Sequence, residues 1–311
     1  MPDTLELLEQ PTATRIDMIA GWRQWADAGS ISSGLPEYLV QQTNARRIGS
    51  IRPDGFYLFQ IPGTHDLVRP VIRFDDGYPE ELSVPSNEFY YTGDERHGTV
   101  IFLGDEPHLD VERYVATLLE AAQKLGVKRI VSLGGVYGEL PYNKERTVSC
   151  VFSLPALKDG LSKLAVQFSD YHGGAAIDSV LCRRAADANQ EHVGFYAFVP
   201  TFDFSQLGKA GHTIRLENDY MAWLGVMRRI NHMLKTRFDL SDLEDKSARL
   251  IEVVDARVDE IERAAPELNV REYFAQLAED FTEMTFDPLD DVWEEELKRL
   301  FDDEDEEEED A

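Results

Sequence analysis

Thr99–Val136 reads TVIFLGDEPHLDVERYVATLLEAAQKLGVKRIVSLGGV. It opens with an apolar run, Val100–Leu103, which does not alternate with polar residues, and then turns at Gly104-Asp105-Glu106-Pro107. Asp110 is placed to cap a helix whose Val111, Tyr114, Val115, Leu118, Leu119 and Ala122 fall on one side at three-to-four spacing. A second apolar run, Lys128–Val136, follows and carries Gly134-Gly135 near its end. Strands that are apolar throughout, separated by an amphipathic helix, define a β-α-β unit in a sheet covered on both faces.

The same rhythm extends in both directions. Upstream, Arg15–Ala20 reads as a buried strand ended by Gly21. Ser30 or Ser32 is then placed to cap a helix with Leu35, Tyr38 and Leu39 inside. Arg46–Ile51 and Gly55–Ile61 read as strands, and Val68–Tyr91 as hairpins with an Asp-Gly turn in FDDGYP. Downstream, VSCVFS and HVGFYAFVP read as strands flanking a helix over Ala175–Ala188. From Glu217 the pattern is helical: about 217–237, a helix from the capping box SDLE at Ser241 to Ala264, a third over 270–284, and a last over 289–301. The expected architecture is a three-layer α/β/α sandwich with a mostly parallel sheet over 1–216, a helical C-terminal extension over 217–301, and a disordered acidic tail over 302–311.

Charge narrows the partners. The 311 residues carry 59 acids and 31 Lys or Arg, a formal charge of −28. Without the nine consecutive acids Asp302–Asp310, acids still outnumber bases by 19. Nucleic acid and anionic membranes both require clustered bases, so neither is an expected partner. There is no apolar run long enough to span a bilayer and no signal-peptide pattern at the N-terminus, which points to the cytoplasm. Cys150 and Cys182, both in apolar segments, read as free thiols. The seven histidines show no metal-ligand spacing, so no metal or cofactor is expected.

Chemistry would sit at the strand ends, where open α/β sheets place ligands. Candidate crevice residues are Trp22, Asp27, Gly104, Asp105, Glu106, Gly134, Gly135, His172, Gly173 and Gly174. No G-x-G-x-x-G, P-loop or G-x-S-x-G accompanies them. The glycines equally suit backbone close approach, and Asp105-Glu106 a solvated turn. A separate candidate is the apolar stripe Leu289, Val292, Trp293, Leu297, Leu300 and Phe301, suited to docking on a partner or on the chain's own body.

In sequence order, MIAGWRQWADAGSISSGLPEYL, FLGDEP, RIVSLGGVYGELPYNKERTVSCVF and YHGGAAIDSVLCRRAADANQEHVGFYAFVP resemble the proteasome assembly chaperone family, most closely its bacterial, actinobacterial-type branch. The resemblance spans about residues 18–264. It implies a phosphorylase/hydrolase-like α/β/α fold without established catalytic residues. It also implies a homo-oligomer whose protein partners are proteasome α-type subunits or another basic surface. Archaeal relatives end in a hydrophobic-Tyr-any tripeptide, whereas this chain ends EEEEDA, so tail docking of that kind does not carry over. The alternative is a small-molecule binder or enzyme, phosphorylase-, hydrolase- or ligase-like, working from the strand-end crevice.

Overall fold

The computed structural model describes residues 4–60, 69–203 and 213–286. In chain order its elements are β1 (Leu5–Leu7), β2 (Arg15–Arg23), α1 (Gly34–Thr43), β3 (Arg46–Ile51), β4 (Val71–Asp75), β5 (Tyr78–Ser83), β6 (Glu88–Gly93), β7 (His97–Asp105), α2 (Val111–Lys124) and β8 (Val127–Gly138). They continue with β9 (Val148–Phe152), α3 (Lys158–Leu161), β10 (Gln167–Phe168), α4 (Ile177–Asp187), β11 (Glu191–Asp203), β12 (Thr213–Arg215), α5 (Tyr220–Leu234), α6 (Ser241–Ala264) and α7 (Val270–Asp280).

One large sheet runs β1-β3-β6-β7-β2-β8-β11-β9-β10, with β12 paired to β11. Its centre, β7-β2-β8-β11, is parallel throughout. Antiparallel pairs extend it through β6, β3 and β1 on one side and through β9 on the other. The central strands are buried on both faces, as their unbroken apolar runs require. Along β2, Met18, Ala20 and Trp22 face a cluster built with Tyr114, Val115 and Leu118 of α2 and Leu181 of α4. Ile19 faces the other layer, where Leu35 and Leu39 of α1 meet Trp223, Val226 and Ile230 of α5 and Leu243, Val258 and Phe274 further on. The α/β/α sandwich is therefore present, with α5, α6 and α7 as most of one helical layer.

Several local expectations are corrected. β2 does not end at Gly21 but continues to Arg23, and β8 passes through Gly134-Gly135 to Gly138. Both strands have neighbours on each side at these glycines or just before them, so ladder pairing outweighs glycine's weak strand propensity. Residues 55–60 form a turn and loop rather than a strand, held by the Phe56 carbonyl, which accepts from the His108 and Leu109 amides. Neither Ser30 nor Ser32 caps α1; Asp27 instead accepts the Ser32 and Ser33 amides in the turn that precedes the helix. Asp110 precedes α2 in a left-handed conformation and makes no side-chain cap, binding Arg113 instead. The SDLE box does not form: Ser241 is itself bound by Asp239. α4 and α5 start later than expected, at Ile177 and Tyr220, and α7 stops at Asp280.

The Asp-Gly hairpin is as expected. Asp76 and Gly77 both have positive φ (44° and 83°), which a two-residue turn joining twisted strands requires. β4 and β5 form their own two-stranded sheet, exposed along its whole length. The stretch expected as a helix over Leu289–Phe301, with its apolar stripe, and the acidic tail lie outside the described residues.

Candidate functional site

β2 and β7 are parallel neighbours, yet β2 leads into α1 on one face and β7 into α2 on the other. Such a switch point is where open α/β sheets leave a crevice. Here side chains fill it. Arg23 Nε and Nη2 each donate to the Asp105 carboxylate at 2.8 Å, a bidentate pair across the two strand ends. Asp105 Oδ2 also accepts the Ser86 amide at 2.7 Å, and the Asp105 carbonyl accepts from Tyr57 Oη at 2.7 Å. Beneath them Trp22 is 2% exposed, and its indole N–H donates to Tyr114 Oη, which meets Asn87 Oδ1 at 2.7 Å. Trp22 and Asp105 thus hold the sheet edge together.

The remaining candidates separate into three groups. Asp27 Oδ1 accepts the Ser32 and Ser33 amides at 2.9 Å each, and Oδ2 accepts from Ser33 Oγ at 2.6 Å. Burial pushes this carboxyl up, and those three bonds oppose the shift. The Asp27 loop also joins β8: the Gly135 amide donates to the Ala26 carbonyl at 2.6 Å. A Cβ on Gly135 would lie 2.0 Å from the Ala28 carbonyl oxygen, and one on Gly134 would strike the Tyr196 ring. Gly104 is packed against Phe102, Trp22 and Tyr114 in the same way. Close approach of backbone and rings accounts for these glycines without a phosphate.

Glu106 Oε1 accepts the Ile177 amide at 2.9 Å, serving the first turn of α4, and burial pushes its carboxyl up. His172, Gly173 and Gly174 lie in the exposed loop before α4, where Tyr171 Oη reaches back to the Gly174 carbonyl. Among the described residues, no hydrogen bond, ion pair or ring contact joins Asp27, Glu106 and His172 to one another. Nor is any group of three or more His, Cys, Asp or Glu residues arranged there to hold a metal ion. Both cysteines are free, with thiols pushed up by burial to about 12 at Cys150 and about 11 at Cys182.

Two features escape a reading of the sequence. Under α4, Asp178 is buried with neither carboxylate oxygen hydrogen-bonded; burial pushes its carboxyl up, partly offset by nearby Tyr196 and Ser179. Asp178 sits at a helical position indistinguishable from a solvated first-turn acid, so only tertiary placement reveals it. The second feature is a set of exposed apolar side chains at the strand-end edge. Trp25 (63% exposed), Leu109 and Tyr137 lie at or just past the C-terminal ends of β2, β7 and β8, and Tyr171 (73%) stands exposed in the loop before α4. Trp25 lies in a loop where Gln24, Ala26, Gly29 and Ser30 all have positive φ, a concentration of backbone strain of the kind found at functional surfaces. Trp25 lies two residues past Arg23, the last residue of β2, so the strand pairing that buries Trp22 does not reach it.

The Arg23–Asp105 pair and its hydrogen bonds close this α/β/α sandwich where β2 and β7 end. The model of the PAC2 family matches residues 22–258, and the chain belongs to that family. Solved structures share the fold. A Mycobacterium tuberculosis proteasome-assembly chaperone homologue is 24% identical, with a TM-score of 0.65 over 77% of this chain and 94% of its own. A PAC2 family protein from Streptomyces avermitilis is 23% identical, with a TM-score of 0.64 over 77% and 95%. An archaeal proteasome activator from Pyrococcus furiosus is 19% identical, with a TM-score of 0.57 over 81% and 97%. No curated protein matches the sequence. No described helix is long and apolar enough to cross a membrane.

Proposed function

We propose that this chain is a non-catalytic protein-interaction protein with an assembly-chaperone-like role in the cytoplasm. It acts as a homo-oligomer whose partner is a protein surface of the proteasome α-subunit type. One observation carries the reading. Among the described residues, most large apolar side chains left in solvent lie at the ends of β2, β7 and β8, in the loop before α4, or on the β4–β5 hairpin, where Phe74, Tyr78 and Leu82 are exposed. Exposed aromatics in such groups are the usual anchors of protein interfaces, whereas a catalytic crevice would leave polar groups unspent. Asp27, Asp105 and Glu106 are spent on a turn, a strand tie and a helix start. Membership of the PAC2 family and the proteasome-linked structural neighbours support the choice of partner.

The test is co-purification from the native host, with α-type subunits quantified against bait. Full-length protein, a Trp25→Ala/Tyr171→Ala variant and a Phe74→Asp/Leu82→Asp variant are compared, with mass in solution measured alongside. Near-stoichiometric α subunits with the wild type, lost with either variant at unchanged melting temperature, are expected. Recovery of no α subunits by the wild type overturns the partner.

A second reading rests on Asp178 alone: a buried acid without a hydrogen bond, close to Tyr196 and near Glu106, suits a ligand group entering beneath α4. A thermal-shift screen of small polar metabolites, repeated on Asp178→Asn, tests it; shifts absent from both remove it.

A further inference from the structure

Near the N-terminal ends of β8 and β11, α3 and its flanking turns leave a groove of about 290 Å³ beside the end of α5. Leu157, Leu161 and Leu164 form one wall, Val193 of β11 the floor, and His232 and Met233 of α5 the other wall. Gly160 also faces it, with nothing within 4 Å of where a Cβ would stand. The lining is mainly aliphatic, and Arg129, which borders the floor, is already paired with Glu191 at 2.8 Å. An apolar cavity of about 150 Å³ accepts a benzene ring, so a groove of this size has room for an indole.

The described chain ends against this groove. Arg229 Nε donates to the Leu164 carbonyl at 2.9 Å and Nη2 to the Met284 carbonyl at 3.4 Å, so one side chain ties the groove wall to the last described residues. Phe286 then packs edge-on against His232, with ring centroids 5.6 Å apart. Three residues further on begins the apolar stripe Leu289, Val292, Trp293, Leu297, Leu300 and Phe301, whose spacing predicts a helix. We propose that this stripe packs on its own body, with Trp293 seated in the groove between α3 and α5 and Leu289 and Leu297 along its rim.

Reach selects this surface. From Phe286 to Leu289 the chain spans at most about 10 Å, and four helical residues advance about 6 Å more to Trp293. The groove lies within that distance of Phe286, since both touch His232. The exposed aromatics at the strand-end edge do not: Arg129 at the groove and Tyr137 at that edge are eight residues apart on β8, roughly 26 Å. A second copy is disfavoured as the source of the segment. Two chains of formal charge −28 repel, whereas tethering supplies the segment at an effective concentration in the millimolar range. On the helix Asp291, Glu295 and Lys298 fall opposite Trp293, so docking leaves those charges in solvent. Burial of one large apolar side chain favours the docked form by about ten- to a hundredfold.

Fluorine NMR on the full chain tests this. With 5-fluorotryptophan at all four tryptophans, Trp293→Phe assigns the Trp293 line. A nitroxide attached to Ala156→Cys, an exposed position on the groove, is expected to broaden the Trp293 line and to spare Trp25 at the opposite end of the sheet. The parent treated with the same reagent controls for Cys150 and Cys182. A Trp293 line that the nitroxide leaves unchanged overturns the proposal. Mixing fluorinated chains without nitroxide and nitroxide-bearing chains without fluorine separates the geometries. Broadening in the mixture as strong as within one chain means that a second copy fills the groove, and overturns intramolecular docking. Amide exchange gives an independent reading: Trp293→Asp/Leu297→Asp should quicken exchange over residues 157–164 by about tenfold, with β2 and β7 unchanged. Equal rates over 157–164 in parent and variant also overturn the proposal, and the NMR arm decides if that variant folds poorly.

Discussion

Arg146 and Asp219 form an ion pair at 2.7 Å with side chains 1% and 0% exposed, joining the segment before β9 to the start of α5. Asp219 is engaged from every side. Its Oδ1 accepts the Ala222 amide, capping α5, while its own amide and the Trp223 indole N–H both donate to the Gly29 carbonyl. Arg146 Nη1 in turn donates to the Pro141, Tyr142 and Lys144 carbonyls. The GWRQWADAGS turn is thereby tied to the helical layer: Gly29, at φ 62°, offers its carbonyl where a Cβ would strike Asp219.

Removing one partner of a buried pair strands the other charge. Asp219→Ala is therefore expected to lose about 3–5 kcal/mol of unfolding free energy. Urea denaturation followed by far-UV circular dichroism measures it. A loss under about 1 kcal/mol would show that water reaches Arg146 and that the pair is not the joint described above.

The glycines argue a second prediction. Gly135→Ala would place a methyl 2.0 Å from the Ala28 carbonyl oxygen, and Gly21→Ala 1.8 Å from that of Ser32; both obstacles are backbone. Each variant is expected to lose about 1–3 kcal/mol or more. Gly174→Ala, with nothing within 4 Å, should stay within about 0.5 kcal/mol of the parent. If Gly135→Ala melts like the parent, the loop over β8 is not packed as observed.

The parallel centre of the sheet is legible in the sequence because β2, β7, β8 and β11 are apolar on both faces. Neither a half-exposed strand nor an amphipathic helix produces such unbroken runs between turn residues. Strand ends are not legible. A glycine inside a paired strand and a glycine that terminates one look alike in sequence, so Gly21 and Gly134-Gly135 read as turns. Asp27, Asp105 and Glu106 do lie at strand ends, as their positions after apolar runs suggest. Which donors each one meets depends on loops far away in sequence, such as Ser86 for Asp105 and Ile177 for Glu106. Capping fails for the same reason at Ser241, where an upstream acid competes for the hydroxyl.

Asp27 supplies a third prediction, which separates a structural acid from a chemical one. Asp27→Ala removes the acceptor for two amides before α1 and should cost about 0.5–2 kcal/mol. Asp27→Asn keeps Oδ1 and lets Ser33 Oγ reverse its role, so most of the stability should return. Thermal melts of the pair decide the matter. If both variants lose equal stability, charge rather than turn geometry is what Asp27 contributes.

The last prediction concerns acid. His192 is fully buried on β11 with both ring nitrogens unpartnered, and burial pushes its pKa down to about 3. An unfolded histidine titrates near 6.5, so between that value and about 3 the unfolded chain binds a proton that the folded chain refuses. Stability from this group is fully present above about pH 6.5 and falls by about 1.4 kcal/mol for each pH unit below it. Asp178 acts in the opposite sense. Its carboxyl is raised, so the folded chain holds a proton that the unfolded chain releases, and the associated penalty grows as pH rises past the unfolded value near 4. Urea titrations at about pH 8, 6.5 and 5 should therefore show His192→Leu flattening the acid loss by about 2 kcal/mol at pH 5 relative to pH 8. Asp178→Asn should gain stability over the parent at about pH 8 and lose that advantage toward about pH 4. Parallel pH profiles for parent and His192→Leu would mean that the histidine is protonated in the fold, and that a carboxylate or water reaches a ring that is otherwise buried without a hydrogen bond.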